Sequence, residues 1–551
     1  MSDRDHASIL VLSESSDRVF GSAEAAVELL QLEGINDAEA APLNRLQEVD
    51  LDARSLVILS PSDPPVAVVD MLLSFVESGG GLIALAPGEA LSERLGLKNH
   101  LTGCRDSRMA VKIDGFPDSG LPIKGWTQHL NLGEGVDGTH LAGLLDSDGA
   151  TTGHPAIVQI TRGKGTVVAT AFDLVASACL LRFGDPMLAG ARTNGIYRMR
   201  PTDLFEGWQQ DVDRAYPVAD LACHLFRELC HRAWPGDTVL PWLWYFPHDA
   251  DTVVLLTSDD DWSKPDQFET LIDSCEQHEA RLTFYLVRER SVMDRAWLEA
   301  LVDRGFDFSI HPDLRPPIHA VWEEELSAHI QQFQQAYGRS PASSIRNHAI
   351  TWSGYMTGAR IEAAHGFEFD TNYFSLLPTA KYYMAGAGLP LRFIDPQGRV
   401  LPIFQVPTQY SDETTLTGLD LDWSLNLTPD EAIELVTGQI AANAARHHSL
   451  LCVNAHPVSF ATYSAPLWEP VMAYGRSNRI PVIDVGRFGT FWKARGDVRL
   501  TPVPKGQTTA VIPGNAPAQG GLSAMVPVET VPEGTLVRTV AGRKFAVHTI
   551  E

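Results

Sequence analysis

From Val253 onward, short apolar runs alternate with helix-length segments, and most of the runs end on a residue able to do acid–base or metal chemistry. Val253–Leu256, Leu282–Val287, Phe306–Ile310, Ser344–Arg346, Phe367–Asp370, Leu450–Asn454 and Ile480–Asp484 read as strands. Helices are expected over Arg295–Val302, Trp322–Tyr337, Gly354–His365 and Pro429–Arg446, and a further one follows Ser263, with Phe268, Leu271, Ile272 and Cys275 on one face. Such alternation implies parallel strands joined by crossover helices, and a series of about 240 residues is the size of a single (β/α) barrel.

Barrels of this kind draw their reacting groups from the C-terminal ends of several strands. Here those ends carry Thr257-Ser258-Asp259-Asp260-Asp261, then His311, then Arg346 and His348, then Asp370, then His456. Five strands aim polar groups at one rim. Adjacent carboxylates repel, so a cation or a shared proton must hold them together. One of the pair can bind a metal while the other stays free as a base, and His311 can add a neutral nitrogen ligand. An isolated acidic triplet is usually a solvated loop. What argues for a site is its position after an apolar strand, with His311 two strands later.

The rest of the chain divides around this unit. In residues 1–202 the strands Ser8–Leu12, Leu56–Leu59 and Leu82–Leu85 alternate with helices over Ser22–Leu32 and Val66–Val76, which predicts a doubly wound α/β domain. Arg162-Gly163-Lys164-Gly165 reads as a hairpin turn. Gly79-Gly80-Gly81 reads as a plain turn, because no Lys-Ser/Thr follows to make a phosphate loop. Residues 203–245 read as a helical connector ending in Trp242, Trp244 and Tyr245, aromatics suited either to a domain junction or to stacking on sugar rings. Residues 246–495 hold the barrel, and 496–551 read as a small all-β appendix.

Charge and cysteine usage narrow the partners. A net charge of −26 excludes ordinary nucleic-acid binding and disfavours an anionic membrane surface. The six cysteines (Cys104, Cys179, Cys223, Cys230, Cys275 and Cys452) form no C-x-x-C pair and suit a reducing compartment. No basic-then-apolar leader and no membrane-length apolar run is present, so a cytoplasmic protein is expected.

The order Thr257-Ser258-Asp259-Asp260, Phe306-Asp307-Phe308-Ser309-Ile310-His311, Arg346-Asn347-His348, Asp370 and Leu451-Cys452-Val453-Asn454-Ala455-His456 resembles the polysaccharide deacetylase (NodB-homology, carbohydrate esterase family 4-like) family. That resemblance implies a distorted (β/α) barrel that removes N-acyl groups from amino sugars with a divalent metal, zinc being the expected ion. By position it implies Asp259 as general base, Asp260 and His311 as metal ligands, Arg346 as the group orienting Asp259, Asp370 as an acid tuning the catalytic histidine, and His456 as general acid. The family's second histidine is replaced by Arg315, which cannot ligate a metal, so His348 is the first candidate for the third ligand, ahead of His319 and Asp313. The glycine that often follows the Asp pair is Asp261. The N-terminal domain resembles the class I glutamine-amidotransferase-like, flavodoxin-type fold but has no cysteine after the Leu82–Leu85 strand, so no amidotransferase chemistry is expected. The expected substrate is a carbohydrate or small glycoside, and a homo-oligomer is compatible with the sequence. Two alternatives stand beside hydrolysis: a non-catalytic glycan-binding relative, and a glycoside hydrolase, which adjacent acids fit poorly because that chemistry needs carboxylates across a cleft.

Overall fold

The protein is described from a computed structural model covering all residues except 1–5, 15–18, 191–198, 206, 208–215, 289–290, 315–317, 376–386, 420, 510–519, 532 and 551. The side chains of 99–101 and 318–320 are also left undescribed. Arg315 and the side chain of His319 therefore lie outside the described residues.

The N-terminal part is built on a nine-stranded sheet. Its first five strands, Ala38–Pro42, Ile9–Ser13, Leu56–Leu59, Gly81–Leu85 and Gly165–Thr170, pair in parallel. Ile9, Leu56, Leu82 and their neighbours are buried because helices such as Ala23–Leu32 and Val66–Ser78 cover the sheet. The sheet continues with antiparallel Thr151–Arg162, Gly138–Leu145, Arg108–Val111 and Leu121–Pro122, of which the sequence pattern revealed the first alone, as a hairpin strand. The expected hairpin is present, with Arg162 opposite Gly165.

In the central part, Val254–Asp259 lies at the middle of a parallel sheet, between Thr283–Leu286 and Leu451–Asn454. Asp307–Ile310 and Tyr410–Ser411 extend it on either side. A second sheet places Ser344–Ile345, Phe369–Asp370 and Val400–Gln405 in parallel, with Leu391–Ile394 antiparallel at its edge. In place of one closed ladder there are two sheets. They are stitched where the Ala342 N–H donates to Phe308 O (2.8 Å) and Ser309 Oγ donates to Ser344 O (2.5 Å).

Trp242–Leu243 does not lead into this region: it pairs with Ala524 and Met525 of the C-terminal antiparallel sheet. Trp242, Trp244 and Tyr245 are fully buried, which makes them core and not a sugar platform. Buried Arg495 locks three parts of the chain together, donating to the carbonyls of Gln31, Leu32, Leu243 and Trp244. No described helix is long and apolar enough to cross a membrane.

Candidate active site

Strand alternation sorts the three consecutive aspartates. Successive side chains on a strand point to opposite faces, so Asp259 and Asp260 cannot share a side. Asp259, the last residue of its strand, faces the cavity at the strand ends. Asp260 turns away and does not line that cavity; its Oδ1 accepts the Ser263 N–H (3.2 Å), and burial pushes its carboxyl up to about 6. Asp261 and Trp262 then both take left-handed backbone angles, φ 41° and 59°. That turn brings Asp261 back to the cavity beside Asp259.

Arg346 is wholly buried and holds Asp259 in place. Its Nη1 donates to Asp259 Oδ1 (3.2 Å), Thr257 Oγ1 (2.8 Å) and Asn454 Oδ1 (2.6 Å), while Nη2 donates to Thr408 Oγ1 (2.7 Å). Asn454 Nδ2 completes the cradle, donating to the other oxygen of Asp259 at 3.2 Å. The guanidinium also lies over the rings of Tyr285 and Phe374. Asp259 is thus fixed by charge-assisted hydrogen bonds from two strands.

Three imidazoles converge on Asp261, and in each the Nδ1 edge is tied to an oxygen. His311 Nδ1 lies 2.9 Å from Arg346 O, His348 Nδ1 lies 3.2 Å from Asp313 Oδ1, and His456 Nδ1 lies 2.7 Å from Asp412 Oδ1. In a neutral imidazole such as His348, a proton on Nδ1 leaves the Nε2 lone pair for another partner. The Nε2 atoms of His311 and His348 lie 3.3 and 3.9 Å from Asp261 Oδ1. Nε2 of His456 lies 3.6 Å from Asp261 Oδ2 and 3.3 Å from Glu413 Oε1.

The charges perturb one another strongly. Burial opposes charge on His456, but Asp412, Glu413 and Asp261 outweigh it and hold its pKa well above the usual imidazole range. Burial likewise opposes charge on His311, and Asp259 and Asp261 outweigh it. Burial and the nearby His311 lower His348. Asp261 is held far below the ordinary carboxylate range, its burial overcome by His311, His456 and His348. Burial, reinforced by neighbouring carboxylates, raises Glu413.

These donors suit a divalent cation. Asp261 Oδ1 is buried without a well-aligned hydrogen bond among the described residues. Ligand atoms about 2.0–2.1 Å from a tetrahedral zinc stand about 3.4 Å apart, close to the 3.3 Å between Asp261 Oδ1 and His311 Nε2. Among the described residues, the three side chains whose ligand atoms all lie within 4.8 Å of one another are Asp261, Glu413 and His456.

The cavity thus gathers Asp259, His311, His348 and His456 from the sequence-predicted set, with Arg346 directly behind Asp259. It does not gather Asp260 or Asp370. Asp370 is buried on the far side against Asn372 and Glu362, its carboxyl pushed up to about 6 by burial. Asp412, Glu413 and Asn454 were missed. The first two follow the two-residue strand Tyr410–Ser411, in a span where no periodicity marks a strand. The one local signal was the capping box of Ser411 and Thr414 at the start of the helix Asp412–Thr415.

The backbone around His348 is unusual as well. Ala349 and Ile350 adopt φ 53° and 46°, and a left-handed β-branched residue is a genuine outlier. Strain of about 1–3 kcal/mol per residue survives only where surroundings enforce it. Here Arg200, from the N-terminal part, enforces it by donating to Ala349 O at 3.1 Å, and Arg200 itself lines the cavity.

Residues 256–459 match the model of the WbmS-like polysaccharide deacetylase family, and over that stretch the chain is similar to polysaccharide deacetylases. Among solved structures, it is similar to Agd3, described as a novel carbohydrate deacetylase, at 9% identity over 98% of this chain and 97% of that one, with a TM-score of 0.41. It is similar to the peptidoglycan deacetylase PdaC from Bacillus subtilis at 12% identity over 45% of this chain and 95% of that one (TM-score 0.28). A CE4 family pseudoenzyme also matches, at 11% identity over 44% of this chain and 68% of that one (TM-score 0.28). No curated protein matches.

Proposed function

We propose that this chain is a metal-dependent hydrolase that removes an N-acyl group, such as acetyl, from a carbohydrate. The observation that carries the reading is the set of imidazoles whose Nδ1 edges are tied back while their Nε2 edges meet Asp261. Asp261, His311 and His348 would hold the cation; Asp260, turned from the cavity, would not. When bound, a divalent ion such as zinc supplies Lewis-acid polarisation of the acyl carbonyl and makes water a better nucleophile at neutral pH. Asp259, clamped by Arg346 and Asn454, is placed to accept the proton of the attacking water. His456, kept protonated by Asp412, is placed to deliver a proton to the departing amine nitrogen. Asp412 takes the histidine-tuning role that the family resemblance suggested for Asp370.

A second position for the cation, Asp261 with Glu413 and His456, is favoured by the tight grouping of those ligand atoms. It would remove His456 from acid catalysis. Metal content of wild type, His348→Ala and Glu413→Gln, measured beside acetate release from N-acetylated glycans, separates the two. Metal lost only in His348→Ala supports the main reading; metal lost only in Glu413→Gln supports the second. No metal in wild type after reconstitution with zinc would sink both and leave a glycan-binding protein.

A further inference from the structure

We infer that a second cavity, between the connector helix and the C-terminal sheet, binds a small carboxylate with an apolar body. The cavity holds about 360 Å³ and shares no lining residue with the one at the strand ends. That volume falls in the roughly 300–1,000 Å³ range of small-ligand pockets. Three stretches of chain build it. His231 comes from the last turn of the helix Val218–Ala233, and Trp234 follows directly. The strand Thr238–Val239 pairs antiparallel with Val503–Pro504, which leads into Lys505. Pro527 and Arg543 come from the strands Leu522–Pro527 and Arg543–Ile550. Trp234, Val239, Pro527 and Val528 supply the apolar wall, and the indole of Trp234 is fixed by its Nε1 donating to Thr238 Oγ1 (3.0 Å).

The donors of this cavity lack an acceptor among the described residues. Buried polar atoms are nearly always partnered, yet His231 Nε2 and Arg543 Nε are both buried without a hydrogen bond there. His231 is 9% exposed, and burial, with Arg543 and Arg227, holds its imidazole well below the usual range. It is therefore neutral at neutral pH, with one ring N–H to donate. Glu228 Oε2 stands 3.8 Å from Arg543 Nε, beyond hydrogen-bond reach. The same carboxylate faces Arg227 at 3.5 Å and attracts Arg232, whose charge Arg543 opposes. Arg227 has a second partner in Glu33. Three guanidiniums thus meet two carboxylates, which leaves a local excess of positive charge in a chain whose net charge is −26. At the rim Lys505 and Glu529 cancel each other at 2.8 Å. Donors from Arg543 and His231 match the two oxygens of a carboxylate. The wall suits a ring or a branched chain, and it offers the hydroxyls of a sugar nothing in exchange for water.

The probe is 4-phenylbutyrate, read by titration calorimetry on the full chain. The alcohol 4-phenylbutan-1-ol controls for the charge, and inorganic phosphate controls for the apolar body. A carboxylate can also reach a metal, so Asp261→Asn separates this cavity from the catalytic one. The expected result is one 4-phenylbutyrate per chain with a Kd below about 1 mM, unchanged in Asp261→Asn, and binding at least about tenfold weaker for the alcohol and for phosphate. Arg543→Met should weaken the acid by about tenfold or more, and Arg543→Lys should restore most of it. Val239→Trp, which fills the cavity, should abolish binding with the thermal midpoint kept. Should Val239→Trp fail to fold, the two Arg543 variants decide the matter alone. No binding to wild type at about 10 mM, an alcohol or phosphate that binds as tightly as the acid, affinity unmoved by Arg543→Met, or binding lost in Asp261→Asn would overturn the inference.

Discussion

Replacing Asp412 by asparagine tests the acid half of the proposed mechanism. Asp412 is fully buried, and both of its oxygens are in use. Oδ1 lies 2.7 Å from His456 Nδ1, while Oδ2 accepts the His456 backbone N–H (2.9 Å) and the Ser464 hydroxyl (3.3 Å). Asparagine keeps the shape but loses the charge, and it offers an acceptor on one side only. Either the ring or the backbone N–H of His456 then faces an NH₂ group. A hydrogen bond to a charged partner contributes about 1.5–3 kcal/mol. If that stabilisation serves the protonated imidazole in the transition state, its loss lowers kcat by about 10- to 150-fold. The pH profile gives the sign. Asp412 helps hold the pKa of His456 above its usual value, so the proton needed for the leaving amine survives to higher pH in wild type. Without the carboxylate the alkaline limb of kcat must move to lower pH. The assay is acetate release at saturating metal across the pH range, with metal content and thermal midpoint measured alongside. A kcat within threefold of wild type and an unmoved alkaline limb, with metal retained, would refute the assignment of His456 as the acid.

Three further outcomes follow from the geometry. Asp261→Asn should abolish stoichiometric zinc binding, whereas Asp260→Asn should retain it, because the Asp260 carboxyl is held by Ser263, Ser291 and Val287 away from the cavity; elemental analysis reads both. Arg346→Lys should lower kcat/KM at least tenfold and destabilise the fold by about 2–4 kcal/mol, since one ammonium cannot replace the fork that reaches Asp259, Thr257, Asn454 and Thr408; near-wild-type melting would count against that reading. The Asp370 carboxyl, raised to about 6 by burial beside Glu362, contributes stability that is fully present below about pH 4 and is lost as pH rises through 6. Asp370→Asn, which removes the titrating group, should flatten that part of the stability profile, as read by melting temperature against pH.

How much of this site was legible in the sequence depends on which structural rule carries each residue. His311 and His456 could be found because one directly follows the strand Asp307–Ile310 and the other stands two residues beyond the strand Leu451–Asn454, and apolar runs of that kind are visible without an alignment. Arg346 follows the two-residue strand Ser344–Ile345, short but flanked by clear helices. Beyond its hairpin strand, the antiparallel half of the N-terminal sheet was invisible because strands such as Gly138–Leu145 alternate burial irregularly across bulges with Thr151–Arg162. Asp412 was invisible because its strand pairs through Tyr410 and Ser411 alone, too short for any period to register.

Asp261 is the instructive residue, because the rule that would have found it was available. A strand ending at Asp259 sends residue 260 to the opposite face, so of three consecutive aspartates the first and third share a side. Family position pointed to Asp260; strand geometry pointed to Asp261. The sequence could not say whether the strand's alternation survives its last residue, since a tight turn can send the next side chains anywhere. Here two consecutive left-handed residues make that turn; aspartate tolerates that conformation, whereas tryptophan at position 262 is not the residue that backbone would favour. A chain shaped by local stability alone would place glycine there. Trp262 is kept against the backbone's preference directly beside the carboxylate that faces the imidazoles. Asp261→Gly should therefore cost metal binding and activity, and with them the stability that the carboxylate gains from His311, His456 and His348; elemental analysis, acetate release and thermal melts read the three.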